Sequence, residues 1–113
     1  LFSTVATKLG MPFHASVATA KSAVEGLTKS VAADLAPKIR VNAIAPTITD
    51  TDLAAKFLRN ERMVESTIQR HPLKKYLQPT EVAAMANYLL SDVSKSISGQ
   101  IFNLDCGIVS LKL

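Results

Sequence analysis

Two runs between residues 24 and 46 decide the reading. Val24-Glu25-Gly26-Leu27-Thr28-Lys29-Ser30, continued by Ala32-Ala33-Asp34-Leu35, leads into Ile39-Arg40-Val41-Asn42-Ala43-Ile44-Ala45-Pro46. The first run belongs to a helix. Val17, Ala20, Val24, Leu27, Val31 and Leu35 recur at spacings of three and four, which gathers them on one face of a helix predicted over residues 13–36. Pro37 ends it, because proline lacks an N–H and pushes Ala36 out of helical geometry. The second run alternates and predicts a strand over residues 39–45, closed by Pro46.

Upstream, residues 1–5 are apolar and β-prone, the tail of a strand entering a loop at Gly10-Met11-Pro12. Downstream, residues 47–78 are polar and broken. Two short helices are expected there, near 52–58 and 62–70, with Asp50 or Thr51 as cap of the first. Pro79-Thr80-Glu81 opens a further helix, since proline suits the first helical position and a carboxylate suits the positive end of the dipole. Val82, Ala86, Leu89 and Leu90 form its expected buried face. Ser98-Gly99 breaks the chain before a last short strand over 100–104.

Strand, helix, strand, long excursion, helix, strand is the alternation of an α/β protein with a parallel sheet and right-handed crossovers. Three short strands are few for a sheet covered on both faces, and the first would be an exposed edge. The start, Leu1-Phe2-Ser3-Thr4, has no methionine. The expectation is a single partial domain over residues 1–113, completed by a preceding half or a partner chain.

The 113 residues are 48% apolar, enough for one small core. No apolar run approaches the roughly 20 residues of a membrane span, and the start lacks a basic segment followed by an apolar one. No membrane association is expected. Cys106 is the single cysteine, so no internal disulfide forms, and a reducing cytoplasm is the expected location. The net charge of +4 is scattered from Lys8 to Lys112 with no interleaved aromatics, which argues against a nucleic-acid surface and suits a small anionic ligand such as a phosphorylated cofactor. Two histidines and one cysteine far apart give no metal-ligand spacing.

Taken with His71-Pro72-Leu73, Pro79-Thr80-Glu81-Val82-Ala83 and the closing Ser98-Gly99-Gln100-Ile101-Phe102-Asn103-Leu104-Asp105-Cys106-Gly107, the two opening runs resemble, in order and over essentially the whole chain, the C-terminal half of a short-chain dehydrogenase/reductase. That resemblance implies the C-terminal half of a Rossmann-like doubly wound parallel sheet, with NAD or NADP bound at the carboxyl ends of its strands. It also implies hydride transfer between the nicotinamide and a small carbonyl or alcohol. The family's glycine-rich phosphate turn and the residue that selects NAD or NADP belong to the first half. Gly10, Gly26, Gly99 and Gly107 stand isolated.

In the family a tyrosine is the acid/base, and a lysine four residues later lowers its pKa and holds the nicotinamide ribose. A serine on the preceding strand loop fixes the substrate oxygen. Residues i and i+4 share a helical face, so the ammonium stabilises the phenolate. By this resemblance Lys21 is the lysine and Thr4 stands at the serine, with Ser3 beside it. Val17 occupies the tyrosine position and cannot exchange a proton, although it also fits the apolar stripe as plain core. His14, Tyr76 and Tyr88 are the candidates for a substitute, with a solvent-facing histidine and surface or loop tyrosines as the blander alternatives.

Pro46-Thr47-Ile48-Thr49-Asp50-Thr51 matches the family's turn against the nicotinamide. Backbone groups of Ile48 and Thr49 would meet the carboxamide and the Thr51 hydroxyl the diphosphate. Thr47 replaces a glycine, and a positive φ there would strain it. Cys106 departs from the family's Asp-Gly-Gly ending and is expected to be a small buried or interface residue. The helices over 13–36 and 80–90, with the last strand, imply a homodimer or homotetramer. The loss of the tyrosine leaves a second possibility, a catalytically silent cofactor-binding or interaction module.

Overall fold

The computed structural model describes residues 1–112. Strand β1 (Ala43–Pro46) pairs in parallel with β2 (Ile101–Leu104), Ala43 opposite Ile101 and Pro46 opposite Leu104. On the other edge of β1, Phe2 bridges to Ile44, again in parallel. There the Ser3 N–H donates to Ile44 O at 2.8 Å and the Ile44 N–H to Leu1 O at 3.0 Å. β1 is thus the middle of three parallel segments. Ala43, Ile44 and Ala45 are accordingly its most deeply buried run, and alanines let backbone layers approach closely. This is the α/β architecture the alternation predicts.

The first strand is shorter than expected. Pairing stops after Ser3, and Val5–Thr7 forms a 3-10 turn capped by the Thr4 hydroxyl, which accepts the Ala6 N–H at 3.4 Å. A short polar side chain that bonds its own backbone competes with ladder pairing.

β1 also begins four residues later than predicted, because over 39–42 side chains share the pairing with single backbone bonds such as Gly99 N–H to Val41 O at 2.7 Å. The Arg40 guanidinium donates to Leu89 O (2.7 Å), Ile97 O (3.0 Å) and Ser91 O (3.3 Å). Asn42 donates through Nδ2 to Ile97 O at 3.0 Å and accepts the Gln100 N–H at 3.0 Å. This clamp fixes the carbonyl end of one helix and the turn into β2 against β1.

Helix α1 (Ala15–Leu35) ends as predicted, with Ala36 extended (ψ 145) before Pro37. Its buried face differs from the expected stripe. Glu25, Thr28 and Ala32 are buried, whereas Val17 is 45% exposed and Leu27 52%. The polar face turns inward because its groups are satisfied there: Glu25 collects three donors, and the Thr28 hydroxyl donates to Val24 O at 2.7 Å. Val17 is therefore not core.

Asp52–Phe57 is a 3-10 helix that starts after Thr51 without a side-chain cap, so the expected cap is absent. Helix α2 (Glu61–Arg70) is capped by Asn60, whose side chain accepts the Met63 N–H at 3.0 Å. Helix α3 (Pro79–Leu90) starts on its proline, and the Glu81 carboxylate accepts the Gln78 N–H at 2.9 Å. Of its expected buried face Leu89 is buried, but Leu90 is 83% exposed.

Candidate functional site

Parallel strands place their carboxyl ends on one edge of the sheet. Thr4 follows Phe2 by two residues as Pro46 follows Ile44, so Thr4 and the turn over 46–51 leave neighbouring segments at the same level. Lys21 joins them from α1, its Nζ donating to Phe2 O at 3.0 Å. One such bond leaves two further N–H donors on the ammonium. Val17 stands one helical turn before Lys21, exposed and aliphatic.

The turn after β1 is well anchored. The Thr47 N–H donates to Leu104 O at 2.9 Å, the Leu77 N–H to Ile48 O at 3.0 Å, and the Asp50 N–H to Leu77 O at 2.9 Å. The N–H groups of Ile48 and Thr49 meet no acceptor among the described residues. The Thr51 hydroxyl makes only a 3.3 Å bond to Thr49 O. An ammonium with hydrogens to spare, two unpaired amides and a hydroxyl, gathered where parallel strands end, fit the ribose, carboxamide and phosphate oxygens of a nicotinamide dinucleotide.

Thr47 is not strained. The non-glycine residues with positive φ are Phe13, Lys74 and Cys106. The expected penalty is thus absent, and the Thr47 side chain has a partner instead. Its hydroxyl lies 2.7 Å from His71 Nε2, with Thr47 9% exposed and His71 3%. His71 Nδ1 lies 2.7 Å from Thr67 O. A carbonyl only accepts, so Nδ1 carries a proton, and in the neutral imidazole Nε2 then accepts from the threonine hydroxyl.

Beneath Thr4, Glu25 gathers donors from the loop that α1 covers. Ser3 Oγ donates at 2.6 Å, Thr7 Oγ1 at 2.7 Å and Lys8 Nζ at 2.7 Å. Burial pushes this carboxyl up, yet the bonds from Lys8, Ser3 and Thr7 outweigh it and hold the group below its ordinary 4.5. A depressed folded-state value stabilises the fold above pH 4.5, and that contribution is lost as pH falls through the folded value. Glu25→Gln should cost about 1–2 kcal/mol at pH 7, and the gap should close as pH falls below 4.5 and through the folded-state value. Urea denaturation at pH 7, 5 and 3 checks this; a gap independent of pH would refute it.

The substitute acid/base candidates are scattered. His14 precedes α1, its Nδ1 bonded to Pro12 O at 2.7 Å, and it lines an open cleft of roughly 410 Å³ with Thr7, Lys8 and Met11. Tyr88 is exposed on α3, and Tyr76 is half-buried beyond α2. Cys106 is buried in a left-handed conformation (φ 52), and burial pushes its thiol up, so it is a poor nucleophile.

A family profile described as Enoyl-(Acyl carrier protein) reductase matches residues 1–109. The chain is also 37% identical over 108 residues to the 3-oxoacyl-(acyl-carrier-protein) reductase FabG of Thermotoga maritima, covering 95% of this chain and 43% of that protein. The chain belongs to the short-chain dehydrogenase/reductase family. Solved structures agree. The ligand-free aldohexose dehydrogenase of Thermoplasma acidophilum superposes with a TM-score of 0.92 at 31% identity, covering 98% of this chain and 47% of that one. The gluconate 5-dehydrogenase of Burkholderia cenocepacia, in complex with NADP and tartrate, gives 0.90 at 29%, covering 98% and 44%. The chain spans under half the length of these short-chain dehydrogenases/reductases.

Sequence reasoning missed three residues that organise this short-chain dehydrogenase/reductase chain. Glu25 and Arg40 were quoted only as landmarks of the resemblance, as was His71. A carboxylate at i+4 from Lys21, on its helical face rather than on the apolar stripe, was the available signal for Glu25. Nothing local to His71 announces its partner 24 residues away.

Proposed function

We propose that the intact protein is an oxidoreductase that binds NAD or NADP and interconverts a small carbonyl compound and its alcohol. This chain supplies the nicotinamide and substrate side of the cleft. The reading rests on Lys21 meeting the end of the first parallel segment, while the neighbouring segment β1 runs into a turn with unpaired amides. Bound there, the cofactor supplies the hydride. Lys21 holds the ribose, the Ile48 and Thr49 amides the carboxamide, Thr51 a phosphate oxygen, and Thr4 the substrate oxygen.

One observation favours a second reading. Val17 cannot exchange a proton, so a cofactor-binding module without turnover fits the same residues. Titrating the intact protein into NADH and NADPH, followed by a panel of carbonyl compounds, separates the two. Fluorescence change with turnover supports the enzyme, and change without turnover supports the silent module. Absence of binding to both cofactors refutes both. Lys21→Ala is expected to weaken cofactor binding about tenfold, equivalent to about 1.4 kcal/mol. Unchanged affinity would refute the ribose role.

The exposed apolar residues of α1 and α3 away from the cleft, among them Leu27, Leu35, Tyr88 and Leu90, support a homodimer or homotetramer. A monomeric mass in solution would count against it. Among the described residues no helix is long and apolar enough to cross a membrane. With its one free cysteine, the chain fits a cytoplasmic setting.

A further inference from the structure

We propose that His71 is a positioning residue for the turn over 46–51, acting through the Thr47 hydroxyl. The inference rests on the reading that this turn meets the nicotinamide.

The pair is built and buried. Thr47 donates to His71 Nε2 at 2.7 Å, and His71 Nδ1–H donates to Thr67 O at 2.7 Å. Thr67 is itself 1% exposed, in the last turn of α2. The chain of bonds therefore runs from the C-terminal end of α2, through an imidazole whose tautomer the Thr67 carbonyl sets, to the first residue after β1. Backbone bonds hold the turn to β2 and to Leu77, but among the described residues only this pair ties it to α2 through side chains. Threonine at 47 has a purpose that glycine could not serve: it makes the turn answer to the position of α2. The two unpaired amides lie one and two residues beyond Thr47, so any rotation of Thr47 re-aims them. His71 acts only through Thr47.

The test compares cofactor affinity with stability in the intact protein. Thr47→Val keeps the side chain's shape and removes the donor, leaving His71 Nε2 buried without a partner, which lowers both the melting temperature and, about tenfold, the affinity for NADH or NADPH. Thr47→Ser restores the hydroxyl and recovers both. The deciding variant is Thr47→Val with His71→Leu. Removing both partners abolishes the orphaned nitrogen, so stability recovers in part, the Thr67 carbonyl now lacking its imidazole donor, while affinity stays low because nothing ties the turn to α2. Native affinity in this double variant, or in Thr47→Val alone, overturns the inference and leaves the cofactor reading standing. A native protein that binds neither cofactor overturns that reading, and the inference with it.

Discussion

Val17→Tyr is expected to raise carbonyl turnover by the intact protein at least about a hundredfold, the usual scale for supplying a positioned acid/base. The variant puts a phenol one helical turn before Lys21, whose ammonium already reaches the end of the first parallel segment at Phe2 O. A free phenol near pKa 10 is a weak base at neutral pH, and a neighbouring ammonium lowers that value. The ring needs no repacking, because Val17 is 45% exposed. Val17→Phe is the control, since it adds the same ring without the proton. Equal turnover in the two variants, with cofactor affinity preserved in both, would show that position 17 is not where the family's tyrosine stands.

Arg40→Met is expected to cost about 3 kcal/mol of unfolding free energy, measured by urea denaturation. The guanidinium serves three carbonyls at once, those of Leu89 and Ser91 at the end of α3 and of Ile97 before β2. These carbonyls share their bonds, Leu89 O and Ser91 O with the Ser94 hydroxyl and Ile97 O with Asn42, so methionine, which offers the stem without a donor, removes the charged member of each shared set. Arg40→Lys should recover about a third of the loss, because a single ammonium cannot span the same fork. A loss within about 0.5 kcal/mol in Arg40→Met would mean that water serves those carbonyls equally well.

The alternation of elements, the stop at Pro37 and the start at Pro79 were legible because each follows from local backbone chemistry. The length of β1 was not. Residues 39–42 alternate like a strand, but Arg40 and Asn42 spend their side chains on carbonyls and an amide more than 45 residues away. The apolar stripe of α1 misled for a related reason. Periodicity shows that a helix has two faces and says nothing about which one meets the sheet, and Glu25 with its three donors reverses the usual choice. At the site, Lys21 and the turn over 46–51 were legible through family resemblance. The strain expected at Thr47 was not borne out, since its conformation and its bond to His71 depend on tertiary structure.

Because α1 keeps its ionic side against the loop that carries Thr4 and its greasy side free, docking and chemistry are mechanically separable on one rod. A charge engineered at the exposed Leu27 or Leu35 should leave the anchorage that aims Lys21 intact. The proposed self-association and the proposed cofactor site should accordingly be tunable one at a time.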